Sequence, residues 1–402
     1  MTVHQGRRAV VVGGSIGGLT AALLLRDLGF EVTVLERSSS QLDGRGGGIV
    51  LQPEMLRWFR ERSRLTPDDV STRTEWLRFL GTTNDLLHEE RIDWSYSSWT
   101  TLYRALLSDF GTDGYLLGEV VVGFSQDDDV AEVRCASGRI LHAEFVVFAD
   151  GISSVGRRRI NGEVEMEYAG YVGWRGTVPE HELSAGTLDL LGDALSYSLA
   201  PQTHICMYPI PGPTSESRLM NYVWYRNVPA GPELDEMMMS STGSRGGVSV
   251  PQGLVQQRYV DEMREAAAVL APAATELVRA TAEPYIQRVV DVRSPRMAEG
   301  RVVVIGDAAF AARPHAAAGT AKAAEDGWSL AEALSGTEDV TGVLAGWEQE
   351  RLTVGNQLVD RVAWMGDVVQ RDSSWDPGDP AMRFGLHGPR EVASGETALP
   401  VR

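Results

Sequence analysis

The chain has 402 residues, of which 43% are hydrophobic and 23% charged, an ordinary composition for a globular protein large enough for two lobes. Its 37 basic and 55 acidic residues give a formal net charge of −18, which argues against nucleic acid or an anionic membrane as the main partner, because both need clustered positive charge. Cys135 and Cys206 lie far apart in the sequence and lack metal-binding spacing, so we expect no metal site and a reducing, cytoplasmic environment. We find no signal peptide and no apolar run of about 20 residues, so we expect no membrane span.

The first 36 residues predict a strand, a glycine turn, a helix and a second strand. Residues 8–12 (RAVVV) are apolar and β-branched, 17–29 have helical spacing of Leu and Ala, and 31–36 (EVTVLE) end in an acid. This βαβ pattern is typical of a doubly wound sheet that binds a dinucleotide at its glycine turn.

The turn GGSIGG at 13–18 has the chemistry for a pyrophosphate. Small residues let backbone approach phosphate at a helix N-terminus, and Glu36 can accept hydrogen bonds from a ribose diol. Ser15 replaces the middle glycine, but it is small and its hydroxyl can meet a phosphate oxygen. A merely structural tight turn is the alternative. The predicted cofactor contacts in this part of the chain are Gly13, Ser15, Ile16, Gly18, Glu36 and Arg37.

The rest of the chain alternates between α/β and β-rich sequence. A hairpin is predicted at 73–93, a helix at 101–109, a β-rich segment at 166–230, and helices at about 320–335 and 343–370. We predict an α/β fold: a Rossmann-like FAD-binding domain built from 1–72, 100–165 and 285–370, and an inserted β-rich substrate domain of 73–99 and 166–284. Residues 371–402 are expected to form an irregular tail.

Two later motifs follow apolar strands. FVVFADGISSVGRR (145–158) and GRVVVIGDAAFAARPHAAAG (300–319) each end a strand in Asp-Gly or Gly-Asp. With the glycine turn, they resemble the three signatures of the para-hydroxybenzoate-hydroxylase-like (group A) flavoprotein monooxygenases, in order and over almost the whole chain. GGGIVLQPE, YAGYVGWRG, YPIPG and RPHAAAGTAKAAED also resemble the 2,6-dihydroxypyridine 3-hydroxylase group of that family.

The resemblance implies an enzyme that uses FAD, NADH or NADPH, and O2. Through a C4a-hydroperoxyflavin it would hydroxylate a small, electron-rich, hydroxylated aromatic or pyridine-type ring, and relatives suggest a homodimer. Carried over by motif, Glu36 would bind the adenosine ribose, Arg104 and Asp150 would lie at the pyrophosphate, Asp307 would hold the ribityl chain, and Arg45 would lie near the flavin. Asp150 and Asp307 could instead be helix caps.

The segment from Asp307 to Thr320 is poor in bulky side chains. Its small residues would let backbone approach the flavin, and the helix that starts near Gly319 would direct its positive end at the reduced ring. Pro314, Ala318, Gly319 and Thr320 are therefore predicted flavin contacts.

A hydroxylase also needs a base or hydrogen-bond acceptor for the substrate hydroxyl. His315 is one candidate; His204 and Tyr208, which strand alternation places on one face, are the others. Arg175 could bind an anionic oxygen, and Tyr222 could wall an aromatic pocket together with Trp174, Trp224 and Tyr225. Each has a plainer alternative: a sheet histidine, a structural salt bridge or a core aromatic.

Other reactions remain open at this level. The same cofactor chemistry serves epoxidation, Baeyer–Villiger oxidation and oxidative decarboxylation. A non-enzymatic flavin redox sensor is the remaining alternative, although two isolated cysteines give it little support.

Overall fold

A computed structural model describes residues 4–42, 47–214 and 217–389. Its α-helices are α1 Ile16–Asp27, α2 Pro53–Glu61, α3 Trp99–Phe110, α4 Val155–Asn161, α5 Ala185–Leu191, α6 Pro232–Met237, α7 Gln257–Ala266, α8 Pro272–Ala280, α9 Gly319–Leu334 and α10 Leu344–Gln370. Its strands are β1 Arg8–Val12, β2 Glu31–Glu36, β3 Gly48–Leu51, β4 Thr72–Leu80, β5 Leu86–Ser98, β6 Tyr115–Leu117, β7 Val121–Gln126, β8 Ala131–Cys135, β9 Ile140–Ala143, β10 Phe145–Phe148, β11 Met166–Pro179, β12 Ala194–Ala200, β13 Thr203–Pro211, β14 Arg218–Asn227, β15 Ser249–Val250, β16 Tyr285–Arg293, β17 Ala298–Glu299, β18 Val302–Val304 and β19 Phe310–Ala311.

A six-stranded sheet carries the glycine turn. Its order is β17-β18-β10-β1-β2-β6, and every pair is parallel except β17 with β18. The central strands β1, β10 and β18 are nearly continuous apolar runs, as is typical of parallel strands that are covered on both faces; α1 packs against both α3 and α9. Since β1, β10 and β18 are neighbours and parallel, the loops that follow them meet at one edge of the sheet, where open α/β sheets bind ligands.

A ten-stranded mixed sheet forms the second layer. Its path is β15-β16-β11-β14-β13-β12-β4-β5-β3, and β19 pairs with β16. Helices α7 and α8 cover one face, where they bury Trp174, Met207 and Trp224. The other face carries mainly aromatic side chains, such as Tyr197, together with the Cys206 thiol. This arrangement confirms the predicted Rossmann-like α/β fold with a β-rich partner sheet.

Some details differ from the predicted division of the chain. Residues 48–51, which the prediction placed with the FAD-binding pieces, pair with β5 in the ten-stranded sheet. Residues 371–389 pack against both the ten-stranded sheet and α10. Across the described part of the chain, no helix is long and apolar enough to cross a membrane.

Candidate active site

The glycine turn after β1 is packed too tightly to accept a side chain at Gly13 or Gly18. Gly13 has a φ of +105°, and a Cβ there would lie 2.3 Å from the carbonyl oxygen of Ala149. A Cβ on Gly18 would lie 1.8 Å from the carbonyl oxygen of Gly13. Helix α1 then begins at Ile16 with no side-chain cap from Ser15 and no acidic residue in its first turn. The turn therefore fits an anionic group such as a pyrophosphate at the helix N-terminus.

Glu36 ends β2 beside this turn. One carboxylate oxygen accepts a hydrogen bond from the Gly14 amide at 3.0 Å, and the other accepts from the Ser38 amide at 2.9 Å. Glu36 is buried and does not line the cleft described below. Its role toward a ribose stays a prediction.

The loops after β10 and β18 are joined through Arg157. Its buried guanidinium donates to the carbonyl oxygen of Ala308 at 2.8 Å. Asp150 accepts from the Val155 amide at 2.6 Å with one oxygen, as the capping alternative expects, while its buried Oδ1 has no partner among the described residues. Burial raises the pKa of Asp150. An unpartnered buried oxygen of this kind is available to a ligand.

Asp307 lies beside a buried ion network. The Lys322 ammonium contacts Asp326 at 2.6 Å, Arg351 contacts the same carboxylate at 2.9 Å, and the Gly306 amide donates to Asp326 at 2.8 Å. These bonds hold the Gly306 turn in place, so Asp307 is presented to the cleft. Burial raises the pKa of Asp307, Lys322 opposes that rise, and Asp326 adds to it.

The segment between Asp307 and α9 is held by its backbone. The Gln52 amide donates to the carbonyl oxygens of Ala316 and Ala317 at 3.1 and 2.8 Å, and Ala317 takes a left-handed φ of +49°. Helix α9 begins at Gly319 with neither a side-chain cap nor an acid in its first turn. Like α1, it presents an open N-terminus that favours negative charge.

A cleft of about 1070 Å³ lies between these loops and the aromatic face of the ten-stranded sheet. Drug-sized ligands occupy about 300 to 1,000 Å³, so the space admits a large ligand. The donor set and the tight glycines fit FAD at the loop edge, which leaves the sheet face for a ring. The predicted site residues that line the cleft are Ser15, Ile16, Arg37, Arg175, His204, Tyr208, Asp307, Pro314, His315, Ala318, Gly319 and Thr320.

Arg175 lies on the sheet face of the cleft, which Arg288 also lines. It lies on β11 between Val223 and Tyr285 of the neighbouring strands, and no described carboxylate lies within 4.0 Å of it. Burial tends to lower the pKa of Arg175, but Tyr285 and the other surrounding tyrosines raise it overall, so the guanidinium stays charged. The salt-bridge alternative for Arg175 therefore has no partner among the described residues.

Two histidines meet at the end of the cleft. The ring centroids of His204 and His315 are 5.5 Å apart, and that of Tyr225 lies 4.6 and 4.8 Å from them. The Tyr171 hydroxyl contacts His315 Nε2 at 2.7 Å, and the Gln370 amide contacts His204 Nδ1 at 3.0 Å. Burial lowers the pKa of His204 to about 3 and that of His315 well below its usual range, the latter also through His204 and Arg313. Both rings are therefore neutral near pH 7.

Several predicted residues lie elsewhere. Tyr222 is fully buried on the opposite face of β14, with Trp224, because its cross-strand neighbour Met207 faces α7 and α8; it is not a cleft residue. Arg104 is exposed on α3 and does not line the cleft. Arg45 lies outside the described residues.

Sequence reasoning missed the partners of the histidines. Tyr171 and Gln370 come from β11 and the end of α10, far from His315 and His204 along the chain, and only the three-dimensional fold brings them together. It also missed the tail, which contributes Trp375, Met382 and Phe384 to the cleft.

Family models and known proteins were then compared with the chain. Residues 11–44 match an NAD(P)-binding Rossmann-like domain, and residues 168–291 match an FAD binding domain-like family. The chain is 38% identical to 2,6-dihydroxypyridine 3-monooxygenase of Paenarthrobacter nicotinovorans over 385 residues, which are 94% of this chain and 96% of that protein. It is 28% identical to 6-hydroxynicotinate 3-monooxygenase of Pseudomonas fluorescens over 352 residues, 83% of each chain. The solved structure of 2,6-dihydroxypyridine-3-hydroxylase from Arthrobacter nicotinovorans superposes with a TM-score of 0.91 at 36% identity, covering 98% of this chain and all of that one.

Proposed function

The chain belongs to the para-hydroxybenzoate-hydroxylase-like (group A) FAD-dependent monooxygenases, in their 2,6-dihydroxypyridine 3-hydroxylase group, and we propose that its own substrate is a dihydroxylated pyridine. As a member of that group, it hydroxylates an electron-rich hydroxylated ring with FAD, NADH or NADPH, and O2. When bound, FAD would supply the redox chemistry: two electrons from NAD(P)H activate O2, one oxygen atom enters the ring and the other is released as water.

The residues that would hold FAD come from the loop edge of the six-stranded sheet. The N-terminus of α1 and Ser15 would face the pyrophosphate. Asp307 would accept from a ribityl hydroxyl, and the open N-terminus of α9 would face the part of the flavin that becomes negative on reduction.

One observation carries the choice of substrate: Arg175, without a carboxylate partner, lies on the aromatic wall that faces the segment before α9. A guanidinium in this position would bind a ring oxygen that carries negative charge. Tyr208, Tyr225 and Tyr197 line the same wall and give a planar ring large apolar surfaces. A small dihydroxylated heteroaromatic ring suits this combination.

The cleft wall would also keep water away from the reacting ring. Trp375, Met382 and Phe384 close it from the tail, and Met365 closes it from α10. Excluding water strengthens the contact of Arg175 with an anion and protects the oxygen transfer from side reactions.

The test is turnover by the FAD-loaded enzyme. NADH and NADPH oxidation would be measured with 2,6-dihydroxypyridine, 6-hydroxynicotinate and a simple phenol, and hydroxylated product would be compared with H2O2. We expect coupled hydroxylation of the dihydroxypyridine. Stimulated NAD(P)H oxidation that yields only H2O2 with both pyridines would contradict the proposed substrate.

Arg175 can be tested separately. R175Q should raise KM for the dihydroxypyridine by roughly tenfold or more, because a hydrogen bond to a charged group is lost. R175K keeps the positive charge and should have a KM between those of R175Q and the unaltered enzyme. R158Q, which changes an exposed arginine on α4, is the matched control. Equal KM values for R175Q and R158Q would remove Arg175 from substrate binding.

We also propose a homodimeric, cytoplasmic enzyme. Its buried Cys135 and Cys206 are both unbridged, as expected in a reducing compartment, and the dimer is carried over from the family resemblance. Light scattering on the FAD-loaded protein tests the subunit number; a mass of one chain would contradict it.

A further inference from the structure

The hydrogen-bond partners of His315 fix which of its nitrogens carries the proton. Its Nε2 lies 2.7 Å from the Tyr171 hydroxyl. Among the described residues, that buried hydroxyl has no other hydrogen-bond acceptor; the Arg313 guanidinium donates to Asp291 and Asp367. A buried phenol proton needs an acceptor, and His315 Nε2 is the one that the described residues offer it. The hydroxyl must therefore donate its proton to His315 Nε2.

A histidine that accepts at Nε2 and stays neutral carries its proton on Nδ1. Among the described residues His315 Nδ1 has no hydrogen-bond partner, and the ring lines the cleft. His315 consequently offers an N–H donor to the cleft, and its only basic nitrogen is already occupied by Tyr171. Helix α10 holds this arrangement from behind, where Gly366 lies against both side chains.

We propose that His315 acts as a neutral hydrogen-bond donor and not as a base, and that the pocket takes its ring substrate as an anion already formed in solution. This inference rests on the proposed function. The charge of the anion is shared between the Nδ1–H of His315 and the guanidinium of Arg175. The proton leaves the substrate before binding, so no protein group needs to accept it.

The other titratable groups around His315 agree with this assignment. His204 on β13 has its Nδ1 against the Gln370 amide. Tyr225 on β14 is neutral, because burial raises its pKa. Asp291 on β16 and Asp367 on α10 contact the Arg313 guanidinium at 2.8 and 3.4 Å.

The tyrosines and the thiol around Arg175 are also uncharged. Burial raises the pKa values of Tyr208 on β13 and Tyr197 on β12, and it raises that of Cys206 to about 12. Asp307 lies at the opposite, cofactor edge of the cleft. These groups thus bring no negative charge to Arg175. Of the other charged residues that line the cleft, Arg288 is paired with Asp235, and Glu283 is exposed at the cleft rim beside Gly253.

The first experiment uses the unaltered FAD-loaded enzyme and two substrates of different acidity. The acid limb of kcat/KM reports the pKa values of free enzyme and free substrate. If the anion is the binding form, this limb moves with the measured hydroxyl pKa when 2,6-dihydroxypyridine is replaced by a halogenated analogue. A limb at the same pH for both substrates would assign it to an enzyme group and overturn the inference.

The second experiment separates a donor from a base at position 315. H315Q keeps a neutral N–H group but cannot take up a proton, so it should retain kcat within a few-fold and the same acid limb. H315A loses the donor and should weaken binding of 2,6-dihydroxypyridine by roughly tenfold or more, measured by calorimetry without NAD(P)H. Loss of kcat in H315Q to the level of H315A, with FAD still bound, would establish a base.

Tyr171 is a positioning residue in this scheme. Y171F frees His315 Nε2, so the ring can present either nitrogen to the cleft, and we expect weaker substrate binding with normal FAD content. Y168F is the matched control, since Tyr168 lies on the same strand and donates to the backbone of Val228. Equal binding in Y171F and Y168F would contradict the role of Tyr171. If the enzyme hydroxylates no pyridine, the proposed function itself is wrong. The turnover assay detects that outcome independently of the tests on His315 and Tyr171.

Discussion

Gly366 shows how a single methyl group bears on the active site. It lies on α10, and a Cβ there would be 2.4 Å from the Tyr171 hydroxyl and 3.1 Å from His315 Nε2. Both rings are buried and packed against Tyr225, whose ring centroid lies 6.0 Å from that of Tyr171 and 4.8 Å from that of His315. The glycine is therefore required by the neighbouring side chains and not by backbone conformation.

We expect G366A to separate the Tyr171–His315 pair. KM for the dihydroxypyridine should rise about tenfold while FAD content stays normal, because the substitution lies behind the substrate side of the cleft. G346A is the control: it lies on the same helix, nothing lies within 4 Å of its Cβ, and alanine there should stabilise the helix by up to about 1 kcal/mol. Unchanged KM in G366A would show that the pair tolerates displacement.

Gly18 gives the corresponding test of the cofactor edge. A Cβ on Gly18 would overlap the carbonyl of Gly13, so G18A must widen the turn that faces the pyrophosphate. The variant should lose FAD on purification and show a lower melting temperature. G186A, on α5 with open space around its Cβ, should keep the flavin absorbance. A yellow G18A protein with normal FAD affinity would contradict this account of the turn.

The positions of site residues could be predicted where chemistry and position are both local. His315 and Asp307 line the cleft, as the motif that contains them indicated, and their roles stay predictions. Tyr222 was misplaced because alternation alone does not say which face of a strand looks inward. The register that pairs His204 with Tyr225, and Met207 with Tyr222, decides it, and register depends on long-range pairing.

At the scale of elements, the described tail is part of the cleft wall. Its backbone bonds to the segment before α9, with the Gly385 amide donating to Ala316 at 3.0 Å, and Arg383 pairs with Glu90 at 2.9 Å. Trp375 packs its ring against Tyr197 at 4.8 Å. The tail was expected to be irregular; its described part, 371–389, has one short 3-10 helix at Pro380–Met382. Its contact with the cleft has no periodic signal, because isolated apolar residues in a Pro- and Gly-rich stretch do not repeat.

We predict that W375A partly uncouples NAD(P)H oxidation from hydroxylation. Removing the indole opens the wall beside Tyr197 and His204, so water should reach the reacting ring and more of the NAD(P)H consumed should end as H2O2. The ratio of H2O2 to hydroxylated product measures this directly. W364A removes an indole that is 47% exposed on α10 and serves as the control. The same ratio in both variants would argue against a sealing role for the tail.

The helices and strands themselves were largely predictable. The βαβ unit, the hairpin at 72–98 and the two last helices have clear periods of 2 or 3.6 residues. Strand β3 was harder, because its four residues pair with a strand about 45 positions later and carry no signal of which sheet they join.

On the scale of the whole molecule, the cleft wall requires two neutral histidines in the interior between the sheets. Folded His204 has a pKa of about 3, and that of folded His315 is also lowered, whereas both would titrate near 6.5 in the unfolded chain. Below pH 6.5 the unfolded chain therefore binds more protons than the folded protein, and stability falls as the pH falls. Above pH 6.5 the two histidines contribute no pH dependence.

This linkage gives a measurable difference between pH 7.5 and 5.5. His204 should remove about 1.4 kcal/mol of unfolding free energy per pH unit below 6.5, because its folded pKa is about 3, and His315 should add a further loss of the same sign. Urea unfolding at saturating FAD should show that loss in the unaltered enzyme and in H181Q, an exposed-histidine control. The double variant H204Q/H315Q should lose correspondingly less unfolding free energy between the two pH values, whatever its stability at pH 7.5.

Carboxyls with raised pKa values, such as Asp150 and Asp307, change the unfolding free energy in the opposite direction. Their effect is the same in all three proteins and cancels in the comparison. Parallel losses in H181Q and the double variant would mean that the histidines are protonated in the folded enzyme, and the neutral-donor role of His315 would fall with that result.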